Sequence, residues 1–379
     1  MHVQMTDRLD RAIDRALQER RIVGTVVLVA EQGEVVYRRA AGWADREAAR
    51  PMAEDAVFLW ASLTKPLVAA ATLRLVEQGR IGLQDPVTRW LPAFTPRMPD
   101  GSAPAITIHQ LLTHSAGLDY AFIEAEGGPH HRLNVSAGLD QPGLGFQENM
   151  RRLAQAPLIY APGAAWSYSM AYDVLGGVVA AATGQALPQA MEALVTQPCG
   201  MRDAGFAVRD RARLVAHYGD AQPQPTRMGA HALVPFPGMG ARVPFAPERL
   251  FDPASYPSGG AGMAGTAGDL LAFLQNLLAG RLLRPATVAL MAQPHVGPQA
   301  QTQGPGWGFG YGGAVLVDPA AAQSPQSAGT LQWGGAYGHS WFLDRARGLA
   351  VAELTNTAFE GMASAGRYPA EVRDAVYGP

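Results

Sequence analysis

The chain has 379 residues, of which 48% are hydrophobic and 16% charged, and a formal net charge of −2. That composition describes a folded chain with a sizeable core, long enough for two domains or for one large α/β body with an inserted lobe. No basic stripe is available to neutralise phosphates, so no nucleic-acid partner is expected, and the single cysteine, Cys199, excludes an intramolecular disulfide or a cysteine-based zinc site.

The first residues lead directly into a charge-rich segment, and no apolar run is long enough to span a bilayer, so a cytoplasmic protein without membrane association is expected. Leu9, Ile13, Ala16 and Leu17 recur at helical spacing among Arg, Asp and Glu, predicting an amphipathic helix. Residues 24–30 and 34–41 are apolar, β-branched runs joined by Glu31-Gln32-Gly33, which predicts a β-hairpin. Next comes Ala61-Ser62-Leu63-Thr64-Lys65-Pro66, followed by Leu67, Ala70, Ala71, Leu75 and Val76 at helical spacing, with a stop at Gly79. Proline is tolerated only in a first helical turn, so Pro66 places the helix start at about Ser62.

Further helices are expected around His109–His114, over 147–154, 171–182 and 269–278, and near 370–377. Residues 115–145 are rich in Gly and His with no clear period, a length of loop that in a compact protein is more often functional than idle. Residues 222–257, heavy in Pro, Gly and Met, read as an ordered, apolar loop and a candidate pocket lining; Met228, Met239 and Met263 read as packing residues. Strands are expected over 307–317, 330–335, 339–343 and 349–354. The fold class is therefore α/β (α+β), one antiparallel sheet built from both ends of the chain and flanked by helices. The expected division is residues 1–80 with 255–379 as the sheet domain and 81–254 as an inserted, mainly helical domain with long loops.

The chemistry is concentrated around one cation. Lys65 is the only lysine; the other 29 of the 30 basic residues are arginines. A guanidinium stays protonated, whereas an amine can release its proton, so a lysine one turn from Ser62 is suited to activating a serine nucleophile. Such a pair needs a further proton carrier and an oxyanion site. Tyr168, after the Pro162-Gly163 turn and before a helix, is the candidate carrier, provided a nearby ammonium favours its phenolate. The Ser62 N–H at a helix start and the glycine-rich segment Trp333-Gly334-Gly335-Ala336 are candidate oxyanion donors.

These residues resemble the serine β-lactamase and penicillin-binding-protein superfamily, closest to the class C β-lactamase-like carboxylesterases often called family VIII. Ser62-Leu63-Thr64-Lys65 matches the S-x-x-K box, Tyr168-Ser169-Met170 stands where the superfamily has Y-x-N, and Trp333-Gly334-Gly335 stands where lactamases have K-T-G and these esterases W-G-G. Residues 111–118 resemble the LLTHTSGL run and 83–87 the LDDPV run of the same proteins. The resemblance implies a β-lactamase-like fold and no cofactor. It implies Ser62 as nucleophile, Lys65 and Tyr168 sharing acid–base work, and an oxyanion hole from the Ser62 and Ala336 N–H groups. Which of Lys65 and Tyr168 takes the serine proton is left open.

Two departures bear on the substrate. Met170 replaces the Asn and Trp333 the Lys, exchanging polar recognition for apolar surface, which suits small or short-acyl esters better than anionic lactams. Met170, Trp333, Gly334, Gly335 and His339 are the expected substrate-binding residues. The alternatives within this superfamily are a β-lactamase or D-amino-acid peptidase and an acyltransferase; outside enzymes, the alternative is a ligand-binding relative without turnover. Gly338-His339-Ser340-Trp341-Phe342 superficially resembles a nucleophile elbow, but Phe342 replaces its second glycine and no helix follows. His109, His114, His130 and His131 lack an H-E-x-x-H pattern, so no metal is expected.

Overall fold

The computed structural model describes residues 2–238 and 240–378; Met239, one of the methionines of the apolar loop, lies outside the described residues. Its centre is an eight-stranded antiparallel sheet of β1 (Gly24–Glu31), β2 (Glu34–Asp45), β3 (Arg50–Pro51), β4 (Trp307–Phe309), β5 (Ala314–Leu316), β6 (Leu331–Gly335), β7 (His339–Asp344) and β8 (Leu349–Thr355), in the order β4-β5-β6-β7-β8-β1-β2-β3. The seam between the two ends of the chain runs through the middle of the sheet. There β1 pairs with β8 from Thr25 opposite Thr355 to Glu31 opposite Leu349. The strand expected over 307–317 is two strands. Gly310, Gly312 and Gly313 separate β4 from β5, and Gly312 has φ +89, a conformation that side chains rarely adopt, so the chain reverses there.

The alternation of side chains gives the sheet two packed faces. On one lie α1 (His2–Gln18) and the last helix, Tyr368–Tyr377, whose Leu9, Ile13, Val372 and Val376 meet Val27, Val29, Phe342 and Val351. On the other lie α2 (Thr64–Glu77) and α8 (Ala267–Leu278), where Leu67, Leu271 and Leu274 meet Val26, Leu28, Trp341 and Ala352. Helix α2 is buried at every position from Thr64 to Leu73, because its far side is covered by the helices of the middle of the chain.

That middle section contains α3 (Ile108–Leu112), which starts in a Thr107–Gln110 capping box, then α5 (Phe146–Gln155) and α6 (Ala171–Thr183). Between α3 and α5 the chain is irregular apart from α4, the single turn Pro129–Arg132, and α7 (Leu187–Met191) follows α6. The apolar stretch 222–257 is less of a loop than its composition suggests: Ala232–Pro235 and Arg242–Phe245 form an antiparallel pair, which the prolines and glycines obscure as a pattern. Among the described residues no helix is long and apolar enough to cross a membrane.

Candidate active site

The turn carrying Ser62 is held from three directions. The chain arrives along Phe58–Leu59, paired with Ala264–Gly265, and the Trp60 N–H donates to the Met263 carbonyl at 2.9 Å. The Met263 N–H donates to Thr64 Oγ1 at 3.1 Å, closing the buttress on the other side of the serine. Ala61 is fully buried with φ +46, a left-handed conformation that costs a residue with a Cβ about 1–2 kcal/mol. Residues Ala61–Leu63 form a single 3-10 turn running into α2, so the helix expected to start at about Ser62 begins there as a tighter turn.

One turn on, Lys65 is 1% exposed, and its Nζ donates to Ser62 Oγ at 3.1 Å and to the Gly260 carbonyl at 2.9 Å. The Tyr168 hydroxyl donates to Ser62 Oγ at 2.6 Å. The ammonium also lies 4.6 Å from the centre of the Tyr168 ring and 5.5 Å from that of Tyr120, both faces carrying negative π density. The sequence motif therefore closes into one network in which the serine oxygen is shared by an amine and a phenol.

Tyr168 is placed by a residue that the motif search passed over. His114, buried and with φ +54, receives the Ser169 N–H on Nδ1 at 3.2 Å, while its carbonyl receives the Ser167 N–H at 3.1 Å. Its ring packs 4.8 Å from that of Tyr168. Burial first, and then the charge of Lys65, hold the His114 imidazole well below its ordinary range, so it stays neutral. The histidine acts as a staple along the Tyr168 segment.

Facing the serine is the end of β6. A Cβ on Gly335 would stand 2.3 Å from the Trp60 carbonyl, so only glycine lets this strand approach the Ser62 turn so closely. Among the described residues neither the Ser62 N–H nor the Ala336 N–H donates to another protein group. Both residues line one cavity of about 560 Å³, with Tyr168, Trp333 and Gly334. Its walls include Phe122, Trp166, Phe236 and Phe359, and no described lining residue is Asp, Glu, Lys or Arg. A larger cleft of about 1120 Å³ between residues 90–101 and α5 shares none of these residues.

Three of the five expected substrate-binding residues, Met170, Gly335 and His339, do not line this cavity. Met170, fully buried at the start of α6, packs into the core and does not line the cavity. His339 stands opposite Gly335 on the neighbouring strand; its ring fills the space the glycine leaves, edge-on to Phe58, and its Nε2 bonds the Leu59 carbonyl at 2.7 Å. Gly335 packs against Trp60, Leu63 and His339 and is not part of the lining. Trp333 and Gly334 do reach it. Sequence reading also missed Tyr120 and the Gly260 carbonyl, although Gly259-Gly260 was itself a signal of close backbone approach. Among the described residues no group of three or more His, Cys, Asp and Glu is placed to hold a metal ion.

The family model described as Beta-lactamase matches residues 9–374. Esterase EstB of Burkholderia gladioli is 56% identical over 372 residues, spanning 98% of this chain and 94% of that protein. Among solved structures, EstCE1, described as a hydrolase with promiscuous acyltransferase activity, superposes with a TM-score of 0.97 at 47% identity, covering 100% of this chain and 99% of that one.

Proposed function

Because the chain belongs to the β-lactamase family, we propose that it is a serine carboxylesterase working through a Ser62 acyl-enzyme on small or short-acyl esters. The observation that carries this reading is Ser62 Oγ, 3.1 Å from Lys65 Nζ and 2.6 Å from the Tyr168 hydroxyl, beside an aromatic cavity without a charged wall. In the form of the Lys65–Tyr168 pair that has given up one proton, as amine or phenolate, Ser62 Oγ attacks the ester carbonyl as its own proton passes to that pair. The Ser62 and Ala336 N–H groups, which have no other acceptor among the described residues, receive the developing oxyanion. The pair returns the proton to the leaving alcohol, and water then attacks the acyl-enzyme by the same route in reverse. The S-x-x-K reading and the kinship with family VIII esterases belong to this proposal, as does the division into a sheet domain of residues 1–80 with 255–379 and an inserted domain of 81–254.

The uncharged lining favours neutral esters. A lactam carboxylate entering this cavity would lose its hydration without gaining a cation, which works against turnover. The test is covalent labelling followed by comparison of substrates. A fluorophosphonate should tag Ser62, and nitrophenyl acetate or butyrate should be hydrolysed faster than a chromogenic cephalosporin or a D-Ala-D-Ala peptide. A cephalosporin rate above the ester rate would overturn the reading, and an untagged, folded protein would point to a binding role. A second reading, transfer of the acyl group to an alcohol, is favoured by the same apolar lining, which admits an organic acceptor as readily as water. Added alcohol should then yield a new ester.

A further inference from the structure

The reaction as described leaves one buried carboxylate unused. Asp173, on α6, is 1% exposed; its Oδ1 accepts from the Ser258 hydroxyl at 2.6 Å and its Oδ2 has no hydrogen-bond partner among the described residues. Ser258 Oγ in turn receives the Ala261 N–H at 2.9 Å, which ties the carboxylate to the loop 258–262. The same loop rests on α6 through two glycines. A Cβ on Gly259 would stand 2.4 Å from the Tyr172 carbonyl, and a Cβ on Gly260 would stand 2.4 Å from Asp173 Oδ2. The unpartnered oxygen thus faces the backbone of Gly260, whose carbonyl receives Lys65 Nζ at 2.9 Å.

Both direct acceptors of the Lys65 ammonium, Ser62 Oγ and the Gly260 carbonyl, are neutral. The groups around it are Tyr120, Tyr168 and the neutral His114. Around Asp173 stand Ser258, Tyr256, Tyr120 and Arg249, and the charge of Lys65 acts on it. Burial pushes the Asp173 carboxyl up from its ordinary range, while the Ser258 hydroxyl and then Lys65 pull the other way.

We propose that Asp173 is the positioning residue for Lys65: through Ser258 and the Gly259-Gly260 backbone it fixes the carbonyl that receives the ammonium, and it faces that ammonium with a buried negative charge. The inference rests on the reading of Ser62 and Lys65 as the reacting pair. A buried anion favours a cation beside it, and replacing it by a neutral group withdraws that bias.

The test follows the rate of fluorophosphonate labelling of Ser62 against pH in the parent and in Asp173→Asn, with circular dichroism as a check of folding. In D173N the plateau rate should fall about tenfold as the loop loosens, and the acidic limb should move down by about half a pH unit. An unmoved acidic limb in the folded variant overturns the proposal, whatever the plateau does. A parent that is never labelled would instead overturn the serine reading, so the two failures are separable. Should D173N fail to fold, Ser258→Ala keeps the carboxylate and cuts its tie to the loop. It should slow labelling at least about threefold, and parent-like labelling would overturn the proposal.

Discussion

At the Ser62 corner, polar atoms converge from three separated stretches: the turn that runs into α2, the Tyr168 segment and the loop at Gly260. Each is tied to another by a hydrogen bond or by a glycine contact that tolerates no side chain. Across the cavity the wall is built differently. Trp333 meets Tyr168 and Phe309 with ring centres 5.3 Å apart in each case, and Phe122, Phe236 and Phe359 bring faces and edges without a charge. The corner is over-determined and directional, and the wall is apolar and non-directional. A change in the corner should therefore act on turnover, and a change in the wall on which substrates enter.

The largest effect that would break this contrast is at the nucleophile. Ser62→Ala should lower kcat/KM for nitrophenyl butyrate by about four orders of magnitude, and retention of more than a few per cent of the rate would remove the serine from the mechanism. Lys65→Arg comes next, with a loss of about two to three orders of magnitude. The motif alone suggests that this exchange leaves stability untouched. With Lys65 at 1% exposure, however, the larger planar group has no space, and a further loss of about 1–3 kcal/mol is expected in urea unfolding. Wild-type turnover in that variant would mean that the amine supplies charge alone.

Gly335→Ala joins the two regions, since its Cβ would strike the Trp60 carbonyl and force β6 off the Ser62 turn. It should cost about 2 kcal/mol and lower kcat about a hundredfold with KM little changed. A rise in KM alone would place this strand with the wall and not the corner. Trp333→Lys tests the wall itself. The ratio of cephalosporin to ester kcat/KM should rise about tenfold, and an unchanged ratio would mean that this ring does not set the preference.

The weakest effect on catalysis concerns titratable groups buried in the fold, with His339 beside Gly335 among them. Burial depresses His339 to about 4 and His217 to about 3. An unfolded histidine takes its proton near 6.5, so between that pH and the folded value only the unfolded chain is protonated. Stability is therefore lost as pH falls below about 6.5, by about 1.4 kcal/mol per pH unit for each histidine. Asp220 acts in the opposite sense: burial raises it to about 6, so the stability it gives is present below the ordinary carboxylate range and is lost as pH rises through about 6. Relative to His217→Gln, the parent should lose stability in urea unfolding from pH 7 to 6 to 5. A rise on acidification would mean that the buried imidazoles are charged.

What the chain discloses in one dimension follows the same divide. Ser62 and Lys65 were legible because their relation is local: helical spacing and Pro66 bring them within 3.1 Å. Most helices and the long strands are also periodic, and they stand where expected. Contacts made by backbone atoms across the fold were not legible. The Gly260 carbonyl, the left-handed His114 and the Gly335–Trp60 approach leave no period, only glycines and an unremarkable histidine. Met170 was read as substrate-binding from its place in the Y-x-N box and His339 from its nearness to Trp333-Gly334-Gly335, and neither lines the cavity. A residue in a strand or at a helix start faces away from its neighbour as readily as with it.

The seam between β1 and β8 joins residues more than 300 positions apart, from Thr25 with Thr355 onward. During synthesis the hairpin that leads to Ser62 emerges early, then Lys65 and Tyr168, while the strand bearing Gly335 and Ala336 emerges near the end. Until that strand arrives, the sheet has an open central edge and the serine faces no opposing backbone. Contacts of such long range are slow to form. On the proposed role of Ala336, hydrolysis therefore begins only once β1 and β8 have paired.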